Sequence, residues 1–392
     1  MQDVKVKNVK ENEKIRIIEV ELERKQLKYS CCKSEKTVVH EYGKQIIKDV
    51  QGYSKDTYIH LNKRRYKCKE CGKRFLEKNN FLAKYQRITK RLLLQIYEKT
   101  KEVRSYSSIA RELGLSTTTV IRLFDIFAYP EPKEMPTSVA IDEFKGNARS
   151  EKYQCIITAP ENKRVLDILQ SRSYSNLSSY FFNKKCDKTA NFVSDMWKPF
   201  SNIATQYFKN SQKIVDKYHF IRQVSWAFEK VRKTEQKKFS KDYRIYFKRS
   251  RWLLIKRFNS LTDEHKQQVN IMLYASCRLS SAYFYKESFY DILRLKDRKQ
   301  AAKEMGDWIN DAINGNVEEM KTCAKTLYNW FTDILNSFSK PLTNGFTEGC
   351  NNKIKVLKRN AYSVRNFKRF RNRILHIFSE KNIENTPTIK LA

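Results

Sequence analysis

TSVAIDEF (residues 137–144) is an apolar run closing on two acids, and its reading decides the fold of the larger part of the chain. Alternation along a strand places Ala140 and Asp142 on one face and Ile141 and Glu143 on the other. Two further strand-like runs follow, YQCIITA (153–159) and RVLDILQS (164–171), so a three-stranded meander is expected. A helix around residues 177–182 leads to ANFVSDMW (190–197), a fourth apolar strand with Asp195 at its end. Carboxylates on the first and fourth strands can converge on divalent cations, because hard cations prefer oxygen ligands. Two such ions roughly 3.5–4 Å apart would activate a nucleophile and stabilise the leaving oxygen of a phosphodiester.

A meander, a helix and a further strand, with acids ending the first and fourth strands, is the pattern of a ribonuclease-H-like fold. Just downstream, KIVDKYHF (213–220) reads as a short strand whose Asp216 and His219 open a helix. From about residue 220 to 341 the chain reads as mostly helix, with Trp226, Phe228, Trp252, Trp308 and Trp330 set among basic residues, an all-α insertion. Then comes TNGFTEGCNNKIKVLKRNAYSVRNFKRFRNRIL (343–375), where Glu348 is the only acid between Asp333 and Glu380 and nine Lys or Arg follow it. A lone carboxylate opening so basic a helix suits a metal ligand beside a phosphate track, with Lys353, Lys355, Lys358 and Arg359 as DNA contacts.

Towards the N-terminus, residues 15–20 and 58–61 read as strands around a cysteine group. RRYKCKECGKRF (64–75) spaces Cys68 and Cys71 as C-x2-C before Gly72, which points two thiolates at one tetrahedral ion. The other pair, Cys31 and Cys32, is adjacent, and neighbouring side chains rarely both reach one metal. One of them is expected as a third Zn2+ ligand, with the other, or His40, as a fourth. Arg64, Arg65 and Lys67 flank this module and suit phosphate contacts. In SYSSIARELGLSTTTVIRLFDIF (105–127), Ser107 is expected to cap one short helix and Ser116 a second, with Gly114 between them. This is a helix-turn-helix pattern in which Thr117, Thr118 and Arg122 face the DNA. Pro130, Pro132 and Pro136 then form a stiff linker.

Composition sets the bounds on partners. The 392 residues carry 79 Lys or Arg against 43 Asp or Glu, a net charge of +36 that calls for a polyanion such as nucleic acid. With 23 Phe, 22 Tyr and 5 Trp the chain is not a disordered tail. Its longest apolar stretches fall well short of the ~20 residues of a spanning helix, so no membrane is expected. MQDVKVKNVK has no apolar core of an export signal, so the nine cysteines are expected to be reduced in a cytoplasm.

VAIDEFKG, VSDMWKPF, IVDKYHFIRQVSWAFEKVR and the 343–375 segment together resemble an insertion-sequence transposase of the ISL-three family, and RRYKCKECGKRF is similar to that family's N-terminal zinc ribbon. The resemblance implies a DDE transposase in which Asp142, Asp195 and Glu348 match the metal-binding triad and Asp216 and His219 match the accompanying D-x2-H motif. Asp216 is the rival second acid; Asp195 is preferred because it ends the longer central strand.

The expected architecture is multidomain α+β: a zinc-ribbon-like module (1–85), a helix-turn-helix (86–130), a ribonuclease-H-like catalytic domain (136–219 and 341–392) and the all-α insertion (220–340). The expected partners are double-stranded DNA, as terminal inverted repeats and as target, and a second copy in a synaptic complex. Two Mg2+ ions, replaceable by Mn2+, are expected at the acids, and a nucleoid-associated place in a bacterial cytoplasm follows. A DNA-binding regulator on an inactive scaffold and a nuclease without strand transfer are the competing expectations.

Overall fold

The structure is a computed structural model that describes residues 3–23, 32, 35–82, 86–148, 151–340, 342–361, 365–379 and 388–389. It divides into two compact units, Met1–Pro130 with Lys353–Ala392, and Glu131–Asn352.

The first unit opens with strands β1 (Val4–Glu11), β2 (Ile15–Leu22), β3 (Thr37–Lys48), β4 (Asp56–Cys68) and β5 (Arg74–Leu76). They form one sheet in the order β1-β2-β4-β3, with β5 beside β4. The pairing β2–β4 is parallel and the others are antiparallel. Every second residue of β4 from Thr57 to Leu61 is buried, and Ile59 and Leu61 join Val20, Leu22 and Ile47 in a small core. Further along β4 the alternation corrects one expectation. Arg64, expected on phosphate, is 4% exposed: its Nε donates to Glu77 Oε2 at 2.9 Å and its Nη2 to the Leu22 carbonyl. Its backbone N–H donates to Glu77 Oε1 at 2.8 Å, so this guanidinium holds the sheet and is not offered to DNA.

Three helices follow, α1 (Lys90–Lys99), α2 (Tyr106–Glu112) and α3 (Thr117–Phe124), then the short β6 (Phe127–Ala128). The cap of α2 is Ser105, whose side chain accepts from the Ser108 N–H; Ser107, the expected cap, lies within the first turn. Ser116 caps α3 as expected, accepting from the Thr119 N–H. Gly114 joins the two helices at φ +60°, a left-handed turn, and a Cβ there would strike the Asp56 carboxylate. Leu92, Ile96, Ile109, Ala110, Val120 and Leu123 meet in one apolar core.

In the second unit, β7 (Ser138–Ala148), β8 (Glu151–Ala159), β9 (Arg164–Leu169), α4 (Tyr174–Phe181), β10 (Asn191–Ser194), α5 (Lys198–Tyr207) and β11 (Gln212–Val215) succeed one another. The sheet order is β11-β10-β7-β8-β9, with β10 parallel to both β7 and β11 and the meander β7-β8-β9 antiparallel. Its two faces carry different cores. Val139, Ile141, Cys155, Ile157 and Phe192 pack with Phe181 of α4 and Phe200 of α5. Ala140, Val193 and Ile214 pack on the other side with Leu342. The expected alternation in β7 is therefore realised, and Asp142 follows Ala140 on that second face.

Helices α6 (Lys217–Gln236), α7 (Lys241–Arg249), α8 (Arg251–Ile255), α9 (Asp263–Tyr274), α10 (Cys277–Ile292), α11 (Arg298–Asn314), α12 (Glu318–Asn329) and α13 (Phe331–Ser339) share a separate core that includes Phe228, Phe289, Met305 and Trp308. The last long helices are α14 (Gly345–Asn360) and α15 (Phe367–Ile377), before β12 (Thr388–Ile389), which pairs with β6. The start of α14 belongs to the second unit and the rest of it, with α15, to the first.

Candidate active site and nucleic-acid interface

The parallel strands β7, β10 and β11 carry acids in register. Val193 pairs with Ala140, so Asp142 and Asp195 follow paired positions, and Asp216 directly follows β11. Burial pushes the Asp195 carboxyl up to about 7, with the Asp142 charge as the next cause. Burial likewise raises Asp142 to about 6, reinforced by the charges of Glu143 and Glu348. Asp216 is also raised by burial, and then by Glu348. Asp142, Asp195, Asp216 and Glu348 thus share one electrostatic neighbourhood inside the second unit.

The closest grouping is Asp216, His219 and Glu348, whose ligating atoms all lie within 4.8 Å of one another. Asp195 stands outside that trio and is tied to it through the field of Asp142. Asp195 Oδ1 is buried and accepts no hydrogen bond. None of these four carboxylates makes an ion pair among the described residues, and the nearest cations, Arg172 and Arg222, only partly offset the rise at Asp195. Neighbouring Glu143 differs, because it is paired with Arg172, whose guanidinium lies 4.3 Å from the Tyr153 ring centre and 4.6 Å from that of Trp197.

Four residues near the acids were not singled out from sequence. Asn351 Nδ2 donates to Asp142 Oδ2 at 2.8 Å; it stands one turn after Glu348 on α14, and that three-residue spacing was its legible signal. Asn344 is fully buried, its carbonyl accepts the Glu348 N–H at 2.8 Å, and neither side-chain polar atom has a partner. Arg222 Nη2 donates to His219 Nδ1 at 3.3 Å while the guanidinium lies over Trp226, and it stands three residues after the histidine. Arg172, paired with Glu143, had no sequence signal. Burial lowers His219 to about 4, so its ring is neutral near pH 7.

An excess of buried and half-buried carboxylates, an unpartnered oxygen on Asp195 and an unpartnered amide on Asn344 fit a hard divalent cation. The sulfurs of Cys32, Cys68 and Cys71 lie within 4.8 Å of one another, at 3.5 Å for Cys32–Cys68 and 3.6 Å for Cys32–Cys71. The Cys71 backbone N–H, aimed at Cys68, draws that thiol down to about 7. Of the adjacent pair, Cys32 joins the group and Cys31 lies outside the described residues. His40 is exposed on β3 and is not in the group. A three-sulfur group suits Zn2+.

On α3, Thr118 and Arg122 are exposed and Thr117 is partly so. Lys67 is exposed, while Arg65 is partly exposed and bound to Glu41 at 2.8 Å. Lys353, Lys355 and Arg359 are exposed on α14 and Lys358 is partly so. The basic run beyond them serves another purpose. Arg369 binds Asp125 at 2.6 Å, Arg371 donates to the Tyr129 carbonyl at 2.9 Å, and Arg373 donates to the Glu102 and Arg104 carbonyls at 2.9 and 3.1 Å.

Residues 139–374, more than half of the chain, match a family described as a transposase, and residues 77–126 match the helix-turn-helix domain of transposase family ISL3. The chain belongs to the ISL3 family of transposases. Residues 30–71 match the zinc finger of transposases IS204, IS1001, IS1096 and IS1165. The transposase for insertion sequence element IS1001 from Bordetella parapertussis is 24% identical over 338 residues, covering 83% of this chain and 82% of its own. Membership places the ISL3 chain among DNA-cleaving and DNA-transferring enzymes, with a DNA-binding helix-turn-helix, divalent-metal use and a zinc ribbon. No helix among the described residues is long and apolar enough to cross a membrane.

Proposed function

We propose that the protein is a DDE-type transposase with a ribonuclease-H-like catalytic domain interrupted by an all-α insertion. On this reading it binds the terminal inverted repeats of its own insertion sequence, cuts at their ends and joins them to target DNA. The observation that carries the proposal is the group of half-buried acids without an ion pair among the described residues, Asp142 within β7, Asp195 just after β10 and Glu348 in the first turn of α14, within a transposase match. The order β11-β10-β7-β8-β9 supports the fold reading, since the meander and fourth strand carry the first two acids.

In this proposal Asp142, Asp195 and Glu348 hold two divalent cations, Mg2+ or Mn2+. When bound, these supply nucleophile activation and charge neutralisation at the phosphodiester. Asn351 fixes the Asp142 carboxylate by its 2.8 Å hydrogen bond. Arginine is only a donor, so His219 accepts through Nδ1 and keeps its proton on Nε2. Asp216 and His219 flank Glu348 and position it. A water oxygen attacks the phosphorus at the element end, breaking a P–O bond to free a 3′-hydroxyl. The oxygen of that hydroxyl then attacks a target phosphorus, forming a new P–O bond as the target's own P–O3′ bond breaks and releases a target 3′-hydroxyl, with two copies of the chain holding two ends.

A gel assay on a labelled terminal-repeat duplex with Mg2+ or Mn2+ tests this reading. Cut and joined products are expected from the wild type. Cutting without joining would favour a nuclease, and binding without cutting would favour a regulator.

A further inference from the structure

Within the first unit, α15 is clamped to the helix-turn-helix by three arginines. Arg369 grips Asp125 through two hydrogen bonds of 2.9 and 2.6 Å, and Arg371 holds the Tyr129 carbonyl. Arg373 holds two carbonyls ahead of α2 and lies 4.7 Å from the Tyr106 ring centre. Buried His376 adds a 3.0 Å contact from Nε2 to Thr100 Oγ1 and a 2.5 Å contact from Nδ1 to the Tyr129 hydroxyl. These contacts fix α15 against the end of α3 and the residues ahead of α2, and the start of α15 shares one cavity wall with the starts of α2 and α3.

Between them lies a cavity of about 320 Å³, walled in part by Ser105, Ser107, Thr117, Arg365, Asn366 and Arg369. Its polar lining is made of hydroxyls, the Asn366 amide and two guanidiniums, with no carboxylate among the described wall residues. Arg369 is neutralised by Asp125, whereas exposed Arg365 has neither an ion pair nor a hydrogen bond among the described residues. The Thr117 hydroxyl also lacks a partner there. Thr117 and Ile121 of α3 line this wall, and Thr118 and Arg122, which follow them in the sequence, are exposed. An unpaired guanidinium with neighbouring hydroxyls matches a phosphodiester, which offers one negative charge and several acceptor oxygens.

We propose that this cavity seats a backbone phosphate of duplex DNA, with Arg365 as its principal contact. The DNA-reading surface is then built jointly by the helix-turn-helix and by a segment that follows Glu348 in the chain. This rests on the helix-turn-helix binding DNA as described above. A phosphate fixed here sets the register of α3 on the duplex and carries no sequence information of its own.

The test uses the full chain and fluorescence anisotropy on a terminal-repeat duplex and a random duplex, across a series of KCl concentrations. Arg365→Ala should weaken both complexes by a similar factor, about 3- to 10-fold, and flatten the slope of log affinity against log salt by about one. Arg365→Lys should restore the slope. Arg122→Ala should weaken mainly the repeat complex. Thermal unfolding of Arg365→Ala should match wild type, since the side chain is exposed and unpaired. Unchanged affinity and slope in Arg365→Ala, with wild type still binding, would overturn the cavity proposal and leave the helix-turn-helix reading standing. A wild type that binds neither duplex would overturn both.

Discussion

The protein buries charge in two opposite ways. Around β4 and α15, guanidinium groups enter the interior with partners: Arg64 with Glu77 and the Leu22 carbonyl, Arg369 with Asp125 at the margin, and Arg373 through Nη2 alone with backbone carbonyls. Around β7, β10 and β11, buried and half-buried acids make no ion pair among the described residues, and Asp195 keeps an oxygen that nothing donates to. Taking a charge out of water is tolerated only when something replaces the water. Where the replacement lies within the chain, the charge is part of the fold. Where it does not, the site is shaped for a ligand. In a chain of net charge +36, leaving acids unpaired is the more telling of the two arrangements.

The largest effect should come from the unpaired side. Asp142→Ala, Asp195→Ala or Glu348→Ala should each reduce Mg2+-dependent cleavage by several orders of magnitude while leaving repeat binding nearly intact. Glu143→Ala should lose far less, because Glu143 spends its charge on Arg172. Asp216→Ala measures the rival assignment. Loss equal to that of Asp195→Ala would make Asp216 a full ligand, and a partial loss is expected of a residue that positions Glu348.

On the paired side the effect is on folding. Arg64→Ala strands Glu77 in the interior and should cost about 3–5 kcal/mol, read by denaturant unfolding of the first unit. If it left stability unchanged but weakened DNA binding, Arg64 would belong to the phosphate contacts after all. Cys68→Ser should remove about one equivalent of zinc, measured by elemental analysis, and loosen the ribbon that depends on it. Equal zinc in variant and wild type would defeat that assignment. Least affected should be Arg369→Ala, which breaks a half-exposed pair worth about 0–1 kcal/mol by thermal unfolding.

The acid side of this contrast was legible in the sequence to an unusual degree. A strand ending in acids has a period of two, so the face carrying Asp142 could be read from Ala140. The lone Glu348 stood out against the basic residues around it. The paired side was much less legible. Whether an arginine contacts phosphate or locks a fold depends on partners distant in sequence: Leu22 and Glu77 for Arg64, Asp125 for Arg369. Composition merges these cases into one basic total. The α2 cap was displaced from Ser107 to Ser105 because both serines sit in one short run and only the Ser108 N–H distinguishes them. The pairing of β12 with β6 had no local signal, being two-residue strands far apart in the chain.

The same contrast fixes a pH dependence. Desolvation pushes the Asp142 carboxyl up to about 6 and the Asp195 carboxyl up to about 7 in the fold, well above ordinary carboxylates. Between about pH 4 and pH 7 the folded state therefore holds protons that the unfolded chain has released. These two groups then lower the stability of the metal-free protein as pH rises through that window. A divalent cation should reverse the trend, because it binds the ionised form.

The most direct test compares thermal unfolding of wild type and the Asp142→Ala/Asp195→Ala variant at pH 5 and pH 7.5, with and without Mn2+. Without metal, the variant should gain on wild type as pH rises. With Mn2+, wild type should be stabilised more than the variant, which keeps only Asp216, His219 and Glu348, and by more at pH 7.5 than at pH 5. Equal Mn2+ stabilisation of both proteins, or a metal-free variant that loses ground to wild type at the higher pH, would contradict the claim that these half-buried acids are a cation site.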